Sequence, residues 1–135
     1  MKEGWLGGEY LILFEGSETG AATDRYAIAL ALPGFELIGL RGWDDFIVRN
    51  RNGDVFSVPA VPFDKKWLTP FQMPNGAPRL QPDDRFAGRI KWYVKPVAFG
   101  GDPEIGGNVV WVSHEEHAGL VQWWNERYRE QTRTA

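Results

Sequence analysis

The sequence predicts an α+β fold: one domain over residues 1–135, built as a mostly antiparallel, twisted sheet with flanking helices, one of them C-terminal. Three observations predict it. Ile90, Trp92 and Val94 alternate with Arg89, Lys91, Tyr93 and Lys95, the period of a half-buried antiparallel strand. Phe46-Ile47-Val48 and Val55-Phe56-Ser57-Val58 flank Asn52-Gly53, a pair suited to the positive φ angles of a type I′ hairpin turn. Ser113 stands three residues before Glu116, the capping-box spacing, and a stripe of His117, Val121, Trp124 and Tyr128 follows, with Leu120 beside it. The strands succeed one another through hairpins and short loops instead of alternating with helices, which argues against a doubly wound sheet.

The remaining elements are read in chain order. Glu9 to Glu15 places five apolar residues between acids and reads as a short buried strand. Ser17 to Leu32 is Ala-rich without internal proline, so a helix of about three turns is expected there, stopped by Pro33-Gly34. Phe35 to Leu40 reads as another strand. Pro59 and Pro62 end the second hairpin strand or make it an edge. Residues 64 to 88 hold four prolines and read as an irregular surface excursion. Asn108 to Val112 gives a further strand. In the last helix Trp124 shares the apolar stripe and Trp123 lies about 100° away, so Trp124→Ala should cost roughly 3–5 kcal/mol and Trp123→Ala less.

Composition removes several classes. There is no cysteine, which excludes disulfides, thiolate metal sites and cysteine nucleophiles. The longest apolar run, Tyr26 to Leu32, is far short of a membrane span, and no apolar signal core follows Met1, so a cytoplasmic location without membrane contact is expected. With 15 Lys+Arg against 18 Asp+Glu, the net charge of −3 gives no electrostatic case for nucleic acid. The stripe of Arg89, Lys91 and Lys95 around Tyr93 is better explained as a solvated edge-strand face. Seven Trp and eight Phe are the unusual numbers, enough to fill a core and leave a few rings for a protein-binding surface.

Catalytic and metal chemistry is poorly served. His114 and His117 are three apart, not the four of a His-Glu-x-x-His zinc helix, and Asp102 is the nearest third ligand in sequence. No metal and no cofactor are expected. The glycines from Gly100 to Gly107, around Asp102-Pro103 and before Asn108, run from strand to strand without a Walker lysine and read as turns. Ser113 is better explained as a cap than as a nucleophile. Asp44 and Asp45 are adjacent, with Glu36 on the preceding strand. Strand neighbours point to opposite faces, so these two are not expected to share a proton.

One stretch is familiar. Leu32-Pro33-Gly34 leads into a strand that ends in Gly39-Leu40-Arg41-Gly42-Trp43-Asp44-Asp45, and Val58-Pro59-Ala60-Val61-Pro62-Phe63-Asp64 follows. The order resembles the SUKH superfamily, which includes the yeast Smi/Knr cell-wall regulators and many bacterial toxin-immunity proteins. Gly39, Gly42 and Asp45 match its loop; Val58, Pro59, Pro62 and Asp64 match its second segment. The resemblance is strongest over residues 9–70. It departs at Trp43, where family loops are commonly glycine-rich, and the helix with a Leu-Pro-x-x-Tyr pattern that usually opens the family has no counterpart here. The resemblance implies a non-catalytic, largely antiparallel α+β domain that binds a protein, in bacteria a cognate toxin that it neutralises.

The expectation that follows is a protein-binding module, not an enzyme, with Trp43, Asp44 and Asp45 as the contact. Trp43 follows a glycine at a loop–strand junction with no periodic reason to be buried, so it is expected to stand as an exposed anchor, its loss weakening binding without moving the melting curve. The alternative is a small enzyme or ligand-binding domain that uses the 102–108 loop with His114 and His117.

Overall fold

The computed structural model describes residues 1–73, 79–95, 99–100 and 108–134. Six strands form one antiparallel sheet in sequence order: β1 (Lys2–Leu6), β2 (Glu9–Leu13), β3 (Glu36–Arg41), β4 (Asp45–Arg49), β5 (Val55–Pro59) and the two-residue β6 (Thr69–Pro70). A second, two-stranded sheet pairs β7 (Ile90–Tyr93) with β8 (Val109–Val112), antiparallel, in a register that sets Lys91 opposite Trp111. Helix α1 (Ser17–Arg25) lies between β2 and β3, and α2 (His114–Thr134) closes the chain. The architecture is the α+β class that the periodicities predict.

The large sheet is covered on both faces, which explains why β2 shows no clean alternation. Tyr10, Ile12, Leu37, Leu40, Phe46, Val48 and Val58 face a core completed by Tyr26, Ile28, Ile90, Trp92, Ala118 and Val121. Leu11, Leu13, Ile38 and Ile47 form a smaller cluster on the opposite face, under Phe71, Met73 and Leu80. The proline-rich excursion is therefore partly a cover for this second face. It also lies against β1: Trp5 and Gln81 exchange backbone hydrogen bonds of 2.9 Å in both directions, and Glu3 accepts from the Gly88 amide at 2.8 Å. Gly39, one of the motif glycines, is required by β2, since a Cβ there would sit 2.6 Å from the Ile12 carbonyl oxygen.

Two local expectations are corrected. The Ala-rich stretch does not run to Leu32 as one helix: α1 stops at Arg25, Ala27 takes a left-handed φ of 52°, and Ile28–Leu30 forms a separate 3₁₀ turn. Tyr26, Ile28 and Leu32 are all buried. Their spacing does not follow one helical face, and burying the three outweighs the helix preference of the alanines. The β4–β5 connection is not a type I′ turn either, because only Gly53 of the Asn52-Gly53 pair has positive φ. The Asn50 side-chain oxygen accepts from the amides of Asn52 and Asp54, at 3.0 and 2.9 Å, and shapes a five-residue loop instead.

Helix α2 begins as its sequence predicts. The Glu116 amide donates to Ser113 Oγ at 3.1 Å and the Ser113 amide donates to the Glu116 carboxylate at 3.2 Å. His117, Ala118, Val121 and Asn125 form its buried face, with Trp124 half-buried and Trp123 49 % exposed. With the Trp124 ring only partly enclosed, Trp124→Ala is expected to cost about 2–3 kcal/mol and Trp123→Ala less than about 1 kcal/mol in urea melts. The reverse order would place the helix in the wrong rotation.

Candidate functional site

A cleft of about 300 Å³ opens where four distant pieces of chain meet: the β3–β4 turn, the residues after β5, β7 and α2. Trp43, Asp44, Asp45, Ala60, Val61, Trp92, Tyr93 and His117 are among its walls. Two hydrogen-bond clips hold these pieces together. Asn125, 3 % exposed, accepts from the Phe63 amide at 2.8 Å and donates to the Ala60 carbonyl at 2.7 Å, which fixes the 60–63 wall against α2. Tyr26 OH lies 2.7 Å from His117 Nδ1, which ties the end of α1 to the start of α2.

Trp43 is not the free-standing ring that the sequence suggests. It stacks on Tyr10 with ring centroids 4.7 Å apart and meets Trp5, Phe86 and Trp111 edge-on at 5.2 to 6.0 Å. It covers the end of the sheet and is half-buried there. The backbone shows what this placement demands. Gly42 and Trp43 have φ of 58° and 64°, consecutive left-handed residues in a three-residue connection between Arg41 and Asp45. That region suits glycine; a tryptophan there is strained.

Asp44 belongs to that turn and borders the cleft, whereas Asp45 opens β4 and its carboxylate is engaged by Ser57 with Arg41 nearby, so the two carboxylates do not share a site. Asp44 retains an exposed surface but is hemmed in by protein at the cleft mouth. This burial pushes its carboxyl up to about 6; Lys91 works against the shift and Asp45 adds to it. Asp45 is also raised by burial, held back by Arg41 and by a hydrogen bond from Ser57. Glu36 lies at the far end of β3, paired with Arg49 at 2.6 Å, and takes no part.

The two histidines are not brought into one site. His117 is fully buried and lines the cleft; burial lowers its pKa to about 3, so the ring is neutral. His114 faces a different cavity, with Phe14, Glu18 and Arg25, and its pKa is lowered chiefly by burial. Among the described residues no group of three or more His, Asp or Glu could hold a metal ion. Asp102 and the rest of the 102–107 loop lie outside the described residues. Asn108 acts as a strand clip, its side chain bonded to both the amide and the carbonyl of Lys95.

Sequence reasoning missed Trp111. It projects from β8, stacks on Phe86 at 4.8 Å, meets Trp43 at 5.2 Å and remains 37 % exposed. The only signal was its place in an apolar strand, which gave no hint that the strand would leave it at the surface. Tyr26 and Asn125 were missed as well, because their partners lie 91 and 62 to 65 residues away. Compared with protein-family models, curated proteins and solved structures, the chain matches none. No helix among the described residues is long and apolar enough to cross a membrane.

Proposed function

We propose that this chain is a non-catalytic protein-binding module of the SUKH kind that binds and neutralises a cognate toxin in the cytoplasm. The observation that carries the reading is the surface around the β3–β4 turn: Asp44 stands exposed at the cleft with Asp45 next to it, and the exposed ring of Trp111 lies beside Trp43. An exposed tryptophan is a favoured anchor in contacts where a few residues dominate affinity. The acids suit a basic partner, such as a nuclease-type toxin, and speed encounter more than they tighten the complex. In this reading Trp111 takes the anchoring role that the sequence gives to Trp43, and Trp43 supports it from beneath.

Ser113 caps α2, and His117 Nδ1 is committed to Tyr26. The test is co-expression: the protein encoded by the gene next to this one is produced in a bacterial host with and without this chain. Growth arrest by the neighbour alone, relieved by this chain through a stable complex, is the expected result. A harmless neighbour that forms no complex contradicts the toxin reading.

A further inference from the structure

A strand at the edge of a sheet presents unpaired backbone groups, and most edges of this protein are blunted. Strand β1 carries Lys2 and Glu3 and is bridged through Trp5 to Gln81, β6 is two residues long and ends in Pro70, and β7 carries Lys91. Strand β8 has none of these devices. Val109-Val110-Trp111-Val112 holds no charge, glycine or proline, and Val110 and Trp111 are 40 % and 37 % exposed. Its register shows which backbone groups are left over. The Val94 amide donates to the Asn108 carbonyl at 2.8 Å, so the pair one step beyond Tyr93 and Val109 is a hydrogen-bonded one. Such pairs alternate along an antiparallel ladder. Val110 and Val112 therefore bond to β7, while the N–H and C=O groups of Val109 and Trp111 point to the outer side. Among the described residues nothing bonds to them there.

We propose that β8 pairs with β8 of a second copy of this chain, antiparallel about a two-fold axis at Val110, so that the two small sheets join into one of four strands. In this register Val109 stands opposite Trp111 of the partner subunit, and Trp111 opposite the partner's Val109. The outward N–H and C=O groups of both residues then find one another across the axis. The strand is its own complement. A two-fold axis sets each residue against another of the same strand, and here every opposed pair is Val with Val or Val with Trp. A charged edge would meet its own charge; β8 carries none. Four residues of edge bury far less than the roughly 1,600 Å² of a standard interface, so the dimer is a weak one that forms at high protein concentration. The pairing uses the backbone edge of β8, not the face on which the Trp111 ring stands, and so does not rest on the toxin reading.

Sedimentation velocity and NMR of the ¹⁵N-labelled full chain, from about 20 μM to about 1 mM, test the pairing. The average mass is expected to rise from monomer toward dimer across this range. The backbone amides of Val109 and Trp111 should shift and gain protection from solvent exchange with concentration, while those of Val110 and Val112 are protected throughout. Val110→Lys sets like charges opposite each other on the axis, at a position 40 % exposed, and is expected to remain monomeric with its melting curve near that of wild type. Val110→Glu should behave likewise, and an equimolar mixture of the two should associate again. A wild type still monomeric at the highest concentration would overturn the proposal. So would association without protection of Val109 and Trp111, a Val110→Lys variant that dimerises as wild type does, or a mixture no more associated than its components. None of these outcomes bears on the co-expression result, so the two readings fail separately.

Discussion

Lowering the pH from about 6.5 toward 4 is expected to remove several kcal/mol of folding stability, and His117 is the main reason. The ring is fully buried and neutral, with its pKa lowered from 6.5 to about 3 by burial, and His114 adds to the shift. The unfolded chain takes up a proton near pH 6.5 and the folded one does not. Stability is therefore fully present above 6.5 and falls with acidification by up to about 1.4 kcal/mol per pH unit until the folded value is reached. Asp44 acts in the opposite sense. Its folded pKa of about 6 lies above the ordinary 3.8, so it favours the folded state at low pH and that contribution is lost as pH rises through 6. His114, also lowered by burial, adds to the acid loss. Comparing His117→Gln with wild type cancels the direct contributions of Asp44 and His114. Urea melts at pH 7 and 4.5 should show the wild type losing several kcal/mol more than the variant on acidification. Parallel losses would mean that the ring is not buried neutral.

Trp43→Ala is expected to destabilise the protein by about 3 kcal/mol, because it removes the ring that joins Trp5, Tyr10, Phe86 and Trp111. Trp43→Gly removes the same ring, yet is expected to be about 1 kcal/mol less damaging. At a φ of 64° alanine keeps the backbone strain and glycine does not. The order is diagnostic, since at ordinary strand and helix positions glycine is the worse replacement. An alanine variant more stable than the glycine variant would show that the turn is not left-handed at Trp43.

The pieces that the sequence made legible are those whose signal is local. Period two in residues 89–95 and the Ser113-x-x-Glu116 box each lie within one element, and their structure follows from neighbours a few residues away. Strand β1 was not legible, because Lys2-Glu3-Gly4-Trp5-Leu6 is mixed in character and becomes a strand through β2 on one side and Gln81 on the other. The Ala-rich helix was overextended because propensity takes no account of the burial of Tyr26 and Ile28 on separate faces. The candidate site was legible in part. Trp43, Asp44 and Asp45 stand together in the sequence and do border the cleft, but the fate of the Trp43 ring depends on Tyr10, Phe86 and Trp111, between 33 and 68 positions away. His117 reads from sequence as one more residue of an apolar stripe. Only the fold shows that its Nδ1 is held by Tyr26 while its Nε2 is buried without a partner.

The central proposal is that the face beside the β3–β4 turn is where a protein partner binds, and the affinity of Trp111→Ala for the partner identified by co-expression tests it most directly. Trp111 is 37 % exposed and rests on Phe86 and Trp43, so its removal should shift the melting curve far less than Trp43→Ala does. Titration calorimetry of the purified complex is expected to show binding weakened by about 2 kcal/mol or more, as for an anchor at the centre of an interface. Asp44→Lys, measured beside it, should slow association and add a penalty of its own against a basic partner. Wild-type affinity in both variants, with melting curves intact, would contradict the account and place the contact elsewhere on the protein.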